Sequence, residues 1–213
     1  VKNVKKNLEI VSKNLDIKSN KLAIMNQTHS NKVLSIKNIN NLKRFDCDAL
    51  LTSDEGIALC VLTADCAPIL IYEAQKKIVG CIHAGWKGAF AGIIENTILK
   101  LSDMGGNKNK LFVTVGPCIS QNNYEVKKDF YSNFISQSKQ NEKFFLKKDN
   151  NSFKFNLRAY INEKFKDLGI QRIENIAVDS FASKNEYFSH RRAKKLGEDD
   201  YGRCISAIRK TTL

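Results

Sequence analysis

The most constraining feature of the sequence is a series of short, almost wholly apolar segments in the middle of the chain. They occupy residues 57–63, 68–72 and 77–82, and each is rich in Ile, Leu and Val. Segments of this length and composition, separated by brief turns, predict β-strands that are buried on both faces. The centre of the chain is therefore predicted to be a sheet that is covered on both sides.

The apolar period changes after this sheet. Residues 90–101 carry apolar side chains every three or four positions, which predicts a helix that ends near Gly105 and Gly106. The same patterns predict further helices at 126–135 and 157–168, and strands at 22–25, 33–36, 49–52, 111–115, 173–178 and 204–208. Runs of strands without strict strand–helix alternation favour a mixed α/β fold over a doubly wound nucleotide-binding fold.

Other sequence features narrow the architecture and the function. The chain has neither a GxGxxG nor a GxxxxGK[ST] motif, so the sequence does not support a dinucleotide-binding protein or a P-loop NTPase. It has 213 residues, two prolines, no linker-like stretch and no repeat, which favours a single domain over residues 1–213.

The net charge of +13 would suit a nucleic-acid partner, but the types and distribution of the basic residues do not. Only seven of the 35 basic residues are Arg, the residue that reads guanine edges, and the lysines are dispersed along the chain. We therefore predict no nucleic-acid partner. The sequence has no apolar run of about 18 residues and no signal-type N-terminal segment, so we predict no membrane association. Six cysteines without a CxxC pair are expected to be reduced thiols in the cytoplasm.

Three residues of metal-binding type each follow a predicted strand. They are His29, Cys66 and His83. Open sheets place ligand sites at the carboxyl ends of strands, so these side chains are candidates for one site. Two imidazoles and a thiolate suit zinc or copper and leave a coordination position open, as in catalytic sites. The same residues also fit a cysteine nucleophile with a histidine base, or three unrelated roles.

The residues beside this set suggest further chemistry. Gly85 and Gly88 flank Trp86 and Lys87 in a turn that leads into a helix, and such a turn presents free backbone N–H groups to an anion. A plain strand-to-helix turn explains the glycines equally well. Asp65, adjacent to Cys66, is a candidate for general acid–base work or for orienting a ligand.

The motifs together resemble those of the laccase-domain (YfiH-type) proteins. The similarity runs from about residue 22 to 209, and the spacing of 17 residues between the Cys of TADC and the His of HAGW is its most specific element. The motifs are Gln27-Thr28-His29-Ser30, Asp48-Ala49-Leu50-Leu51-Thr52, Thr63-Ala64-Asp65-Cys66-Ala67-Pro68, His83-Ala84-Gly85-Trp86-Lys87-Gly88, Gly116-Pro117-Cys118-Ile119, Tyr124-Glu125-Val126, Phe188-Ser189-His190-Arg191-Arg192 and Gly202-Arg203.

This resemblance implies a layered α/β/β/α fold with mixed sheets and a metal, usually zinc, held by His29, Cys66 and His83. It implies a zinc-dependent purine nucleoside phosphorylase that acts on adenosine, inosine, guanosine or methylthioadenosine, with adenosine deamination as a side activity. The partners would be a nucleoside and phosphate, and the protein would be a monomer or weak homodimer. Because phosphorolysis needs an anion site beside the sugar, we expect Lys87 and Arg191 or Arg192 to bind phosphate, and Gln27 to bind substrate. We expect Asp65 and Cys66 to be catalytic, with Asp65 and the metal site positioning the substrate and managing protons at the departing purine.

Two alternatives remain open at the level of sequence. The family was first described as copper-dependent polyphenol oxidases, but a multicopper cluster needs far more histidines than the three in this chain. The fold is also similar to that of deamidases that use a Cys–His pair, which suggests a metal-free Cys66–His83 hydrolase.

The sequence departs from the family pattern at several positions. Lys87 replaces the usual Arg, Asn156 replaces a common Asp, and residues 179–182 lack the usual Cys and Thr. The Arg- and Gly-containing N-terminal segment of the family has no counterpart in this sequence.

Overall fold

The structure is a computed structural model that describes residues 2–41 and 43–211. The helices are α1 (Lys2–Asn14), α2 (Trp86–Phe90), α3 (Ile93–Asp103), α4 (Lys128–Gln137), α5 (Leu157–Asp167) and α6 (His190–Leu196). The strands are β1 (Leu22–Met25), β2 (Val33–Ser35), β3 (Lys43–Phe45), β4 (Ala49–Thr52), β5 (Ala58–Thr63), β6 (Ala67–Glu73), β7 (Ile78–Ala84), β8 (Leu111–Val115), β9 (Glu125–Lys127), β10 (Phe145–Lys147), β11 (Ser152–Phe155), β12 (Ile173–Asn175) and β13 (Cys204–Arg209). Short 3-10 turns occupy Ser19–Lys21, Lys108–Lys110 and Lys139–Phe144.

The strands form two large mixed sheets and one small one. The larger sheet has the order β12-β8-β6-β7-β4-β2, and the second has the order β13-β5-β1-β3. In the second sheet β1 pairs in parallel with β3 and β5, whereas β13 runs antiparallel to β5. The small antiparallel sheet has the order β10-β11-β9. Mixed pairing explains why the sequence lacks regular strand–helix alternation.

The core divides into layers that match the apolar strands. Met25, Leu50 and Val61 belong to the apolar layer between the two large sheets. On the other face of the larger sheet, α3 packs against β2, β4 and β7, and α4 and α5 belong to the same core cluster. Helix α1 covers the outer face of the second sheet. This α/β/β/α arrangement confirms the predicted fold class. The layers pack against one another through apolar side chains.

Several boundaries differ from the sequence prediction. The single helix predicted at 90–101 is two helices, because Gly92 adopts a left-handed conformation with φ of 90° between α2 and α3. The helix predicted from residue 126 begins at Lys128, after strand β9. His83 lies within β7 rather than after it. The pattern also missed α1 and α6, whose apolar residues are few among many lysines and arginines.

The helices carry no membrane-spanning signal in the parts of the chain from 2 to 41 and from 43 to 211. None of them there has both the length and the apolar character needed to cross a bilayer.

Candidate metal centre

The structure brings His29, Cys66 and His83 together in one cluster. Their ligand atoms all lie within 4.8 Å of one another, although no two of the residues are close in sequence. The Cys66 Sγ is 3.6 Å from Nε2 of His29, and the rings of the two histidines meet edge to face at 4.8 Å. His29 is exposed, Cys66 is partly buried and His83 is buried, so the cluster lies at the base of an open depression.

A buried carboxylate organises two of these three residues. Asp48 has no exposed surface, and its oxygens accept hydrogen bonds from the backbone N–H groups of Thr28, His29 and Ser30 at 2.8–3.2 Å. The Ser30 hydroxyl donates a further bond at 2.7 Å, and Nδ1 of His83 donates one at 2.8 Å. With Nδ1 occupied, Nε2 is the nitrogen of His83 that remains for a metal.

The electrostatics around Asp48 favour its ionised form. Burial of the carboxyl raises its pKa, but the hydrogen bonds from His83 and Ser30 outweigh burial and hold the pKa well below its usual range. Burial and the neighbouring His83 lower the pKa of His29. The His29 imidazole is therefore neutral at pH 7, which is the form that binds a metal.

The donor set fits a zinc ion. Ligand atoms 2.0–2.3 Å from one tetrahedral ion lie about 3.5 Å apart, close to the Cys66–His29 separation of 3.6 Å. Without a metal, burial raises the pKa of the Cys66 thiol to about 12, and the nearby Asp65 carboxylate adds to this effect. A metal cation reverses this balance, because a coordinating thiol loses its proton.

Gly85 provides the space in which the cluster fits. A Cβ atom at this position would lie 2.7 Å from Cδ2 of His29 and 2.9 Å from Sγ of Cys66. Its φ of −75° is open to any residue, so this position needs glycine for lack of space and not for backbone freedom.

Gly85→Ala is expected to weaken metal binding by displacing two of the three ligands, while the fold persists. Chelator competition would measure the metal affinity, and thermal unfolding would measure stability. Gly197→Ala is the control, because Gly197 has φ of 73° and no atom within 4 Å of its Cβ position. The control should lose stability without losing metal affinity, and equal metal affinities in the two variants would contradict the crowding argument.

The cluster opens into a cavity of about 330 Å³. The side chains that line it combine metal-ligand, cationic, aromatic and aliphatic types: His29, Ala64, Asp65, Cys66, Trp86, Lys87, Ile119, Tyr124, Leu157, His190 and Arg191. A cavity of this size, lined by both apolar and polar side chains, suits a small organic molecule.

Asp65 lines the cavity but its carboxylate is fully engaged. Its Oδ1 accepts from the Ser180 hydroxyl at 2.7 Å, and its Oδ2 accepts from the Ser189 hydroxyl at 3.0 Å and from the backbone N–H of Arg191 at 2.7 Å. Its backbone φ is 83°, so the turn that presents Asp65 is strained for a non-glycine residue. These contacts tie the strand end at Cys66 to the start of α6.

The two adjacent arginines have different surroundings. Arg191 lines the cavity, with its guanidinium 5.3 Å from the centre of the Tyr124 ring and one N–H group on the Glu125 carbonyl at 2.8 Å. Arg192 points away and donates to the carbonyls of residues 180, 181 and 187. Arg192 therefore holds the loop before α6. This position does not support the predicted contact of Arg192 with phosphate.

The remaining predicted substrate residues also differ in placement. Lys87 is exposed at the cavity mouth, with its Nζ 5.7 Å from the centre of the Trp86 ring. Gln27 has both ends of its amide on the backbone of Leu62, at 2.7 and 2.9 Å. The Gln27 side chain therefore joins the segment after β1 to β5, and a contact with substrate stays a prediction.

Residues that the sequence did not single out as site residues are central to this arrangement. Asp48 stood only inside a family motif, at the start of a strand, and its role depends on three chain segments that meet in space. Tyr124 and His190 line the cavity together with His29 and Cys66. The signal available for His190 was its rarity, since the chain has three histidines.

The chain is similar to several known proteins. A family model described as multi-copper polyphenol oxidoreductase laccase matches residues 1–211. A Rickettsia conorii protein named purine nucleoside phosphorylase is 34% identical over 192 residues, which are 90% of this chain and 79% of that protein. A Campylobacter jejuni protein of the same name is 32% identical over 176 residues, 82% of this chain and 73% of the relative.

Solved structures share the fold. The Bacillus licheniformis protein YfiH superposes with a TM-score of 0.88 at 23% identity, covering 97% of this chain and 80% of that one. A Neisseria meningitidis protein superposes with a TM-score of 0.86 at 26% identity, covering 98% and 81%. The likeness to the first of these concerns the fold alone.

Proposed function

This chain belongs to the multi-copper polyphenol oxidoreductase laccase family. From its site and from the names of its relatives, we propose that it is a zinc-dependent purine nucleoside phosphorylase. The observation that carries the proposal is the His29–Cys66–His83 cluster at the base of a cavity that Lys87 and Arg191 also line. Relatives that span most of the chain are named for this activity.

Lys87 and Arg191 are the cations that would hold phosphate. Arg191 uses one N–H group on the Glu125 carbonyl and keeps other donors of its planar fork for an anion. Lys87 adds a mobile positive charge from the turn that follows His83. Trp86 and Tyr124 offer apolar ring faces beside these cations, where a flat purine base can lie.

In the proposed reaction, a phosphate oxygen attacks the ribosyl C1′ while the bond from C1′ to the base nitrogen breaks. The sugar becomes oxocarbenium-like, so fixed positions for phosphate and base lower the barrier by proximity. A zinc ion held by His29, Cys66 and His83 would supply Lewis acidity to a substrate oxygen or water. Asp48 keeps the two histidines oriented, and Asp65 keeps Arg191 over the cavity.

The decisive experiment incubates the purified protein with adenosine or inosine, with and without phosphate, after zinc loading or chelation. We expect free base and ribose 1-phosphate to form only when phosphate and zinc are both present, as measured by liquid chromatography. The proposal includes adenosine deamination as a minor activity, seen as inosine formed without phosphate. No phosphate-dependent base release at any metal loading would contradict the assignment.

Arg191→Gln is expected to raise the KM for phosphate by about tenfold or more, the scale of a lost charge-assisted hydrogen bond. Initial rates at varied phosphate and saturating nucleoside would measure this. Arg192→Gln is the matched control, since it removes the same charge one residue away. We expect it to lower the melting temperature while the KM for phosphate stays near the wild-type value, and a reversal of these two patterns would contradict the placement of the arginines.

A metal-free cysteine hydrolase is the second candidate, favoured by the 3.6 Å contact between Cys66 Sγ and His29 Nε2. The histidine in this contact is His29 and not His83. Against this candidate, the raised pKa of Cys66 leaves a neutral thiol, whereas cysteine nucleophiles need a thiolate. Stoichiometric zinc by elemental analysis, lost in His29→Ala, would argue against this candidate.

The polyphenol oxidase described by the family's name is a further alternative. The chain has three histidines in all, and two of them belong to one cluster. One such chain cannot supply the histidines of a multicopper centre. Oxygen uptake by copper-loaded protein with a phenol would support the oxidase, and we expect none.

A further inference from the structure

His190 is the third histidine of the chain and lies outside the metal cluster. It is the first residue of α6, is exposed, and lines the same cavity as His29 and Cys66. Its ring packs against that of Tyr201, with the ring centres 4.9 Å apart. Resting on the proposed function, we propose that His190 is the catalytic residue that donates a proton to the departing purine base.

The position of His190 is fixed from both sides by Asp65. The preceding residue, Ser189, donates its hydroxyl to Oδ2 of Asp65 at 3.0 Å, and the following residue, Arg191, donates its backbone N–H to the same oxygen at 2.7 Å. Ser189 also accepts from the backbone N–H of Arg192 and so begins the helix. A buried carboxylate therefore holds the backbone of His190 beside the cavity, which is what a proton donor needs.

The other groups that could move a proton in this cavity are already engaged. Among the described residues that line it, His29 and Cys66 belong to the metal cluster, and the carboxylate of Asp65 accepts three hydrogen bonds. Burial raises the pKa of Tyr124 well above that of an ordinary phenol.

The two cations of the cavity are assigned to phosphate in the proposed function. The guanidinium of Arg191 does not release protons in proteins, and Lys87 is a cation of the phosphate side. An imidazole ring can donate a proton from a ring nitrogen and take one up again, and His190 supplies a ring that lines the cavity and is not committed to the cluster.

The chemistry requires such a donor. When the bond from C1′ to N9 breaks, its electron pair goes to the purine, which leaves as an anion unless N7 receives a proton. The His190 imidazolium gives that proton to N7, while an oxygen of hydrogenphosphate forms the new bond to C1′. The sugar phosphate then loses the proton that came with hydrogenphosphate, and the neutral imidazole is protonated again. Over the whole cycle, one nucleoside and one hydrogenphosphate thus give one neutral purine and one sugar phosphate dianion, and His190 ends in its starting form.

A pair of matched substrates tests this role. Guanosine needs a proton at N7 to leave, whereas 7-methylguanosine already carries a methyl group and a positive charge there and leaves without one. In the zinc-loaded full chain, His190→Gln is expected to lower kcat for guanosine by about 100-fold or more, as for loss of a general acid. The same variant should keep most of the wild-type kcat for 7-methylguanosine.

Lys194→Gln is the control, because Lys194 is exposed on the same helix and does not line the cavity. Lys194→Gln should leave kcat unchanged for both substrates. An equal loss of kcat on both substrates in His190→Gln would overturn the donor role, as would unchanged turnover of guanosine. Wild-type protein that releases no base from either nucleoside would instead contradict the proposed function.

Discussion

Cys66→Ala is expected to abolish high-affinity zinc binding and, with it, phosphate-dependent base release. Losing a residue that merely orients a metal ligand costs 10–100-fold in affinity, so losing the thiolate itself should cost more than about 100-fold. The variant should stay folded, because Cys66 is only partly buried at the cavity floor and Ala leaves no large void. Zinc content after dialysis and chelator competition would measure the loss independently of activity.

Cys204→Ser is the matched control for Cys66→Ala. Cys204 is likewise partly buried, lies outside the cluster, and its sulfur accepts a hydrogen bond from the backbone N–H of Phe188 at 3.4 Å. A serine oxygen can accept the same bond, so zinc content and base release should match the wild type. Full zinc stoichiometry in Cys66→Ala would remove Cys66 from the ligand set.

Asp48→Asn is expected to have the largest effect on stability and to weaken the metal site as well. The carboxylate accepts from the backbone N–H groups of residues 28–30, from Ser30 and from His83, all in a site without exposed surface. An amide of the same size turns an NH₂ group toward N–H donors. We expect a loss of about 3 kcal/mol or more in the free energy of unfolding, as when one partner of a buried polar pair is removed. Metal affinity should fall by about 10–100-fold, because His29 and His83 lose their common support.

The pH dependence of stability should report the same carboxylate. The pKa of Asp48 is lower in the folded protein than in the unfolded chain, where the pKa of an Asp is about 4. Its contribution is therefore complete above about pH 4 and is lost as the pH falls toward the lower folded value. In urea unfolding of metal-free protein, the stability gap between wild type and Asp48→Asn should narrow below about pH 4.

Asp54→Asn is the control for Asp48→Asn. Asp54 accepts a hydrogen bond from the backbone N–H of Asn38 at 3.0 Å, in an exposed contact, and is not a member of the ligand cluster. Its loss should change stability and metal affinity only slightly. A stability gap for Asp48→Asn that does not change with pH would contradict an ionised carboxylate at this site.

The sequence predicts the central sheet and the ligand cluster well, because short segments of the sequence are enough to identify both. Apolar runs define β5 to β7 whatever lies around them, and His29, Cys66 and His83 stand at or near strand ends. The role of Asp48 is not local, since it depends on how residues 28–30 and His83 meet it in space. An aspartate before a strand has no distinguishing pattern in sequence.

Arg191 and Arg192 illustrate the same limit. Both stand in one basic motif, and neighbouring residues on a helix point about 100° apart, so one faces the cavity and the other faces the loop before α6. Which one faces the cavity depends on how Asp65 and Ser189 dock the start of α6. The helix itself was missed because its seven residues include only two apolar ones.

The long sequence distance across the Asp65 contacts has a consequence for how the protein is made. The three ligand residues all lie between positions 29 and 83, whereas Asp65 is joined to Ser180, Ser189 and Arg191 more than 100 positions later. Chains emerge from the ribosome with the N-terminal part first. The three residues of the cluster therefore leave the ribosome before His190 and Arg191, which also line the cavity. A nascent chain thus contains all three residues of the cluster before it has a pocket for any substrate.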